Sequence, residues 1–238
     1  MFNEKKINKK EVKRLSLTPV NEKEGLFVGT KSDGKPYTVR KDRLRKFFPN
    51  EWRSFISVVK EDRKIIFETL LQTGARIDEA LHIRPKDFDW DRRNLTLYVT
   101  KSKASKGESK ILGGKQRSFG VSSQFIRKIK KHIRENKIKD DEFILKISKP
   151  GVSQLFKRAL KKAGLNEWEF SLHNIRKTCG MWLKTVQRRG VDLDISEICM
   201  RLGHDYPTFL KHYGSPSIYD ERDRDGIVEL MGDVYQLR

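Results

Sequence analysis

Between Ser171 and Pro216 the chain reads SLHNIRKTCGMWLKTVQRRGVDLDISEICMRLGHDYPTFLKHYGSP, and four of its side chains could do chemistry on a phosphate. His173 and Arg176 stand three residues apart, so any helix that carries them presents both on one face. His204 follows Gly203, and Tyr213 comes nine residues after His204. A planar guanidinium binds two phosphate oxygens at once, and an imidazole accepts or donates a proton near neutral pH. A tyrosine hydroxyl, with an ordinary pKa of about 10, attacks phosphorus only with help from such neighbours. Taken singly these are commonplace features. An H-x-x-R pair is a frequent helix face, Gly-His a frequent helix end, and a tyrosine before Gly-Ser-Pro a frequent turn residue. The signal lies in their order, in their spacing and in an arginine upstream, Arg76.

The elements that must position them read as a mainly α-helical α+β chain with a small β-sheet. Helical periodicity starts near Asn50, placed as an N-cap, with Trp52, Phe55, Ile56 and Val59 on one face. A second helix runs from Asp62 to Thr73 and ends at Gly74, where a left-handed cap belongs. ARIDEALHIR (75–84) follows, with Arg76 at a helix start, where its charge adds to the positive end of the backbone dipoles. NLTLYVT (94–100) alternates as a half-buried strand, RSFGV (117–121) returns, and a basic helix covers about Ser122 to Arg134. Further helices are expected over Gly151–Ala163, Leu172 to about Arg188, and Ser196–Leu202.

Charge divides the chain into three parts. Residues 1–45 hold 13 Lys and Arg against 6 acids and form a basic N-terminal arm, whose LFVGT (26–30) and PYTVR (36–40) runs flank Asp33–Gly34 as a β-hairpin. Residues 46–216 form the main domain. Within it, 101–134 carry 11 Lys and Arg against one acid, Glu108, an electrostatic footprint for a phosphate backbone. Residues 217–238 reverse sign, and an apolar set of Ile218, Ile227, Val228, Leu230 and Met231 marks this tail as an element that docks on a neighbouring protomer. The formal charge of +20 over 238 residues points to a polyanionic partner, of which nucleic acid is the commonest. Cys179 and Cys199 sit in apolar helical patterns and read as buried hydrophobes of a reducing compartment, neither a disulfide nor a metal site. No apolar run reaches the roughly 18 residues of a membrane span and no signal peptide precedes the charged start, so the expected location is the cytoplasm.

In order, then, the chain offers Arg76, a lysine in the 94–121 hairpin, His173-x-x-Arg176, His204 and Tyr213. This set resembles the catalytic signature of the tyrosine recombinase (phage integrase) family. TGARIDEAL resembles its first arginine motif, LHNIRKT its H-x-x-R motif, and LGH followed by HYGSP its last box. The resemblance implies a mainly helical catalytic domain that cuts and rejoins double-stranded DNA through a covalent 3′-phosphotyrosine, without cofactor, metal or ATP. Tyr213 would be the nucleophile, and Arg76 and Arg176 would hold the non-bridging oxygens and stabilise the transition state. His173 would take or position the tyrosine proton, and His204 would add a hydrogen bond to the phosphate. A hairpin lysine would protonate the leaving 5′ oxygen; Lys103, just past the strand, is preferred over Lys101, with Lys106 and Lys110 also near. Glu79 matches the acidic position that supports the site from behind. His212 is expected to point away from it, and Met181 and Trp182 to fill the core. Tyr206, Tyr219 and Tyr235 lack the spacing of Tyr213.

The family also implies strand exchange by a homo-tetramer. Many members carry a further helical domain of about a hundred residues, for which residues 1–45 are too short, so the arm or a partner would have to supply the clamp. Two other readings compete: a DNA-relaxing enzyme like type IB topoisomerases, and an inactive DNA-binding relative.

Overall fold

The structure, a computed structural model, describes residues 17–21, 26–30, 36–40, 45–98, 116–167, 169–187, 194–213 and 218–235. Three short strands open it: β1 (Leu17–Asn21), β2 (Leu26–Thr30) and β3 (Pro36–Arg40), antiparallel in the order β1-β2-β3. The β2–β3 pair is the hairpin expected from the two apolar runs, with Leu26 opposite Arg40 and Thr30 opposite Pro36. β1 was not expected from the sequence; its LTPVN contains Pro19. Proline has no N–H to donate to a ladder, and β1 is an edge strand whose register shifts between Pro19 and Asn21.

From residue 45 the fold is mainly helical: α1 (Pro49–Ser57), α2 (Glu61–Thr73), α3 (Ile77–Leu81), then after a second sheet α4 (Ser123–Glu135), α5 (Lys149–Lys162), α6 (Leu172–Gln187), α7 (Ile195–Leu202), α8 (Tyr206–Tyr213) and α9 (Glu221–Met231). The second sheet is β4 (Phe88–Asp89), β5 (Asn94–Tyr98) and β6 (Gln116–Gly120), all antiparallel. Leu95 and Leu97 of β5 face the core opposite Phe119 and Arg117 of β6, so β6 points a charge inward as well as a phenyl ring.

Helix α6 is the central beam, packed against α2, α7, α8 and α9. Ile175, Cys179, Trp182, Leu183 and Val186 are buried on it, and Met181 with them, as expected for Met181 and Trp182. Around Trp182 an aromatic cluster locks α1 and α5 to the body: Phe47 stacks on Phe170 at 4.3 Å, and Trp52 meets Trp182 edge-on at 6.5 Å. Each such ring contributes about 1.5–3 kcal/mol by leaving water. Both cysteines are free and buried.

Local signals held where backbone chemistry dictated them. Gly74 ends α2 and Gly203 ends α7, both left-handed (φ 61° and 57°). Ser122 caps α4 through a hydrogen bond from Phe125 N. The N-cap of α1 is not Asn50 but Phe48, because Pro49 takes the first helical position, and Glu51 accepts from Phe48 N at 3.0 Å in place of a capping side chain.

Residues 217–238 were set apart by sign as a docking tail. In this chain α9 lies on α1 and α6, and Ile227 and Met231 are fully buried in the chain's own core. Its acids meet the chain's own bases, Glu229 with Arg53 at 2.6 Å and Asp233 with Arg93 at 2.7 Å. Docking on a neighbour draws no support from this packing. No helix among the described residues is long and apolar enough to cross a membrane.

Candidate active site

The site forms where α2, α7 and α8 converge on the first half of α6. Arg176 is only 1% exposed, yet it is an arginine. Its Nη1 donates to Gly74 O at 2.6 Å and its Nη2 to Leu202 O, the carbonyls that close α2 and α7. A helix C-terminus carries unsatisfied carbonyls and a partial negative charge, so two of them compensate one buried guanidinium. Both left-handed glycine caps are therefore part of the site: they turn the chain so that these carbonyls face Arg176. A β-carbon at Gly74 would also stand 2.8 Å from Leu202 Cδ2. Arg176 Nε remains buried without a hydrogen-bond partner among the described residues. Burial, and behind it the nearby Arg76, lowers Arg176 to about 10, which leaves it cationic at neutral pH.

Arg76 is the N-cap residue of α3, with its side chain 41% exposed. The expected aid from a helix dipole is small here, since α3 has five residues. What orients Arg76 is Glu79, which accepts from Arg76 N at 2.8 Å and from Arg76 Nη1 at 2.9 Å. Glu79 is almost fully buried. Burial pushes its carboxyl up, but hydrogen bonds and charge from Arg117 and Arg76 outweigh that and hold it below the ordinary carboxylate value. Arg117 was read only as part of a returning strand. It donates to both Glu79 oxygens, at 3.1 and 2.5 Å, and through Nε to Arg201 O at 2.9 Å. Arg201 in turn donates to Gln72 O and Gly120 O, and lies over the Phe119 ring at 4.5 Å.

His204 Nε2 lies 3.2 Å from Arg176 Nη2. A guanidinium only donates, so Nε2 holds the lone pair and the imidazole proton sits on Nδ1. The ring is also 6.1 Å from that of Tyr213 and 5.9 Å from that of His212. Burial, then the charges of Arg176 and Arg76, push His204 down to about 4. His173 falls to about 4 as well, through burial first and then Arg176, Lys177 and Arg76. Both imidazoles are neutral at pH 7 and able to accept a proton.

Tyr213 ends α8 and is 2% exposed. Its ring stacks on Phe209 and lies over Gly180 of α6, where a β-carbon would come within 2.7 Å of Cε1. Lys184, one helical turn beyond Gly180, donates from Nζ to Tyr213 O at 2.5 Å. Burial raises the Tyr213 hydroxyl to about 12, against the pull of Arg176 and Arg76. A phenol so raised needs a base at the moment of attack.

The structure thus brings together Arg76, Glu79, His173, Arg176, His204 and Tyr213. Lys103 lies outside the described residues, as do Lys101, Lys106 and Lys110. His212, expected to point elsewhere, is in the cluster, with its ring 6.3 Å from that of Tyr213. Its ring also lies 5.9 Å from that of His204. Tyr206 is exposed, and Tyr219 is buried with its hydroxyl donating to Phe47 O at 3.2 Å, which engages it structurally. Arg117, Gly180 and Lys184 are the site-shaping residues that spacing did not reveal. The one available signal was parity: in β6, residue 117 shares the inward face with Phe119.

The helical domain with its small antiparallel sheet has relatives among known proteins. The phage integrase family model matches residues 46–217, and the chain belongs to that family. It is 24% identical over 185 residues to the tyrosine recombinase XerH of Campylobacter jejuni, across 75% of this chain and 48% of that protein. In fold it is similar to the Tn1549 transposon integrase solved in complex with transposon right end DNA, with a TM-score of 0.55, 17% identity, and 78% of this chain and 65% of that one covered. It is similar also to XerA recombinase, with a TM-score of 0.54, 18% identity, and 79% and 65% covered. The chain spans about half the length of XerH and just under two thirds of these solved chains.

Proposed function

We propose that the chain is a site-specific DNA recombinase or integrase that breaks and rejoins duplex DNA through a 3′-phosphotyrosine. The observation that carries this is the convergence of two arginines and two neutral histidines on one buried tyrosine. Arg76 and Arg176 bind the two non-bridging oxygens of the scissile phosphate and stabilise the charge that grows on them. Tyr213 Oη attacks phosphorus. Its proton passes to His173, the P–O5′ bond breaks, and a hairpin lysine, Lys103 in this reading, delivers a proton to the leaving O5′. When phosphate oxygens replace His204 as acceptor for Arg176 Nη2, the imidazole is released to add its own hydrogen bond. The phosphotyrosine conserves the phosphodiester, so the reverse attack by a 5′ hydroxyl reseals the strand.

Tyr213 has its ring 6.1 Å from that of His204 and lies in the field of Arg176 and Arg76 of its own chain, which supports cleavage within one protomer. Exchange between two sites requires four cleavages, hence a homo-tetramer on DNA, in the cytoplasm. Related structures support DNA as the partner: XerH recombinase was solved bound to its difH substrate.

The test is to incubate the protein with fragmented, nicked DNA from its source in chelator and without nucleotide, and to isolate SDS-resistant adducts. The expected result is adducts at one recurrent sequence, absent for Tyr213→Phe, which still binds DNA. Equal adduct yield from Tyr213→Phe would sink the assignment, and relaxation of a plasmid bearing one site without exchange would favour the topoisomerase-like reading.

A further inference from the structure

Arg117 has no place in the reaction just described, yet it touches three of its parts. Its guanidinium grips both oxygens of Glu79, the carboxylate that holds Arg76. Its Nε donates to Arg201 O, at the end of the helix that leads into His204. Its Nη1 would lie 3.1 Å from a β-carbon at Gly203, so the left-handed glycine before His204 leaves it room. Its own strand, β6, begins at Gln116, directly after the lysine-rich segment that holds Lys103.

Charge counting gives this arrangement a purpose. Glu79 paired with Arg76 alone would cancel the charge that Arg76 must offer a phosphate. With Arg117 on the carboxylate's other side, two guanidinium groups share one negative charge, and the partly exposed Arg76 keeps its net attraction for an anion. Arg117 has Nη1, Nη2 and Nε all engaged within the protein and is 5% exposed, so it does not reach a substrate.

We infer that Arg117 is a positioning residue of the recombination reaction: it fixes and neutralises Glu79 so that Arg76 is both oriented and cationic, and it ties β6 to that arginine. The inference rests on the recombinase reading above. It differs from a packing role in what it predicts for the phosphate. A substrate whose scissile phosphate carries a methyl group in place of one non-bridging oxygen bears one negative charge less, and depends less on Arg76. Loss of Arg117 by way of Arg76 must therefore hurt this methylphosphonate less than the natural diester, whereas general loosening of the fold slows both alike.

The experiment uses a nicked duplex with the sequence recovered from the adduct assay, as the phosphodiester and as the methylphosphonate, in single turnover with the full chain. For Arg117→Gln the expected outcome is an adduct rate down about 10²-fold on the diester, the scale of a misplaced reacting group. DNA affinity stays within about threefold, and the loss on the methylphosphonate is at least about tenfold smaller. Arg117→Lys, which restores the charge but not the fork, recovers part of the diester rate. If Arg117→Gln fails to fold, the same ratio is read from Arg117→Lys. Equal losses on the two substrates, or an unchanged diester rate, would overturn the positioning role. Absence of any Tyr213-dependent adduct from the unsubstituted protein would overturn the recombinase reading itself and the role with it, and that result is visible before any Arg117 variant is made.

Discussion

At the scale of single residues the site depends on groups whose burial is compensated by geometry. Arg176 spans two helix-closing carbonyls and His204 with one planar fork. A lysine presents one compact ammonium and cannot meet all three. Arg176→Lys is therefore expected to destabilise the fold by about 1–3 kcal/mol, the cost of a buried acceptor left unpaired. It is also expected to reduce the adduct rate about 10²-fold or more, with denaturant midpoints and single-turnover cleavage as the two measurements. The histidines give a pH prediction with a definite sign. His173 and His204 titrate near 4 in the folded chain against 6.5 for the free side chain. As pH falls below 6.5 the unfolded chain takes up these protons first, so stability present above that value declines toward pH 4. Urea midpoints at successive pH values should fall across this window, and less steeply for the His173→Gln/His204→Gln double variant. Equal slopes in the two proteins would show that the imidazoles are not depressed. His173, Arg176, His204, Tyr213 and Arg76 were legible in sequence because their chemistry is unusual in combination. Arg117 was not, because one arginine in a basic segment looks like any other until its strand partner and its depth are known.

At the scale of elements, α6 explains why the motif residues meet. His173, Arg176, Gly180 and Lys184 fall at intervals of three, four and four along it and form one stripe. The first two belong to the arginine–histidine cluster, and the last two seat α8, through the Tyr213 ring over Gly180 and the Lys184 bond to Tyr213 O. One helix thus sets the distance between the cationic groups and Tyr213, the proposed nucleophile. Most of this scaffold was readable, since glycine caps and apolar periodicity placed α2, α4, α6 and α7 nearly to the residue. The seat of α8 was not, because a glycine inside a helix signals close approach without saying of what. Gly180→Ala sharpens the point. Its β-carbon would stand 2.7 Å from both Tyr213 Cε1 and Leu202 Cδ1, so the ring or α8 must move. Overpacking of this kind costs about 1–3 kcal/mol. The expected signature is an adduct rate that falls far more than DNA affinity does, read by comparing cleavage kinetics with a filter-binding isotherm. A parallel fall in both would mean that α8 is seated by something else.

At the scale of the whole molecule, the change of charge sign near residue 217 suggested two bodies, a basic DNA-binding domain and an acidic tail for a neighbour. The structure instead fits the two signs together, and magnitudes decide what holds them. The Arg53–Glu229 pair is between side chains 43% and 74% exposed, the range in which an ion pair contributes about 0–1 kcal/mol. Ile227, by contrast, is fully buried between α9 and the body, and truncating it removes both transfer energy and packing, a loss of about 2–5 kcal/mol. The tail is therefore a structural part of the domain held by apolar contacts, with the charges setting its alignment. The expectation is that Ile227→Ala lowers the urea midpoint strongly, while Glu229→Gln changes stability by less than about 0.5 kcal/mol. The opposite order would mean that α9 is held by charge alone. Raised salt would then release it from its own domain, leaving its apolar face to dock on a second protomer as the sequence pattern first suggested.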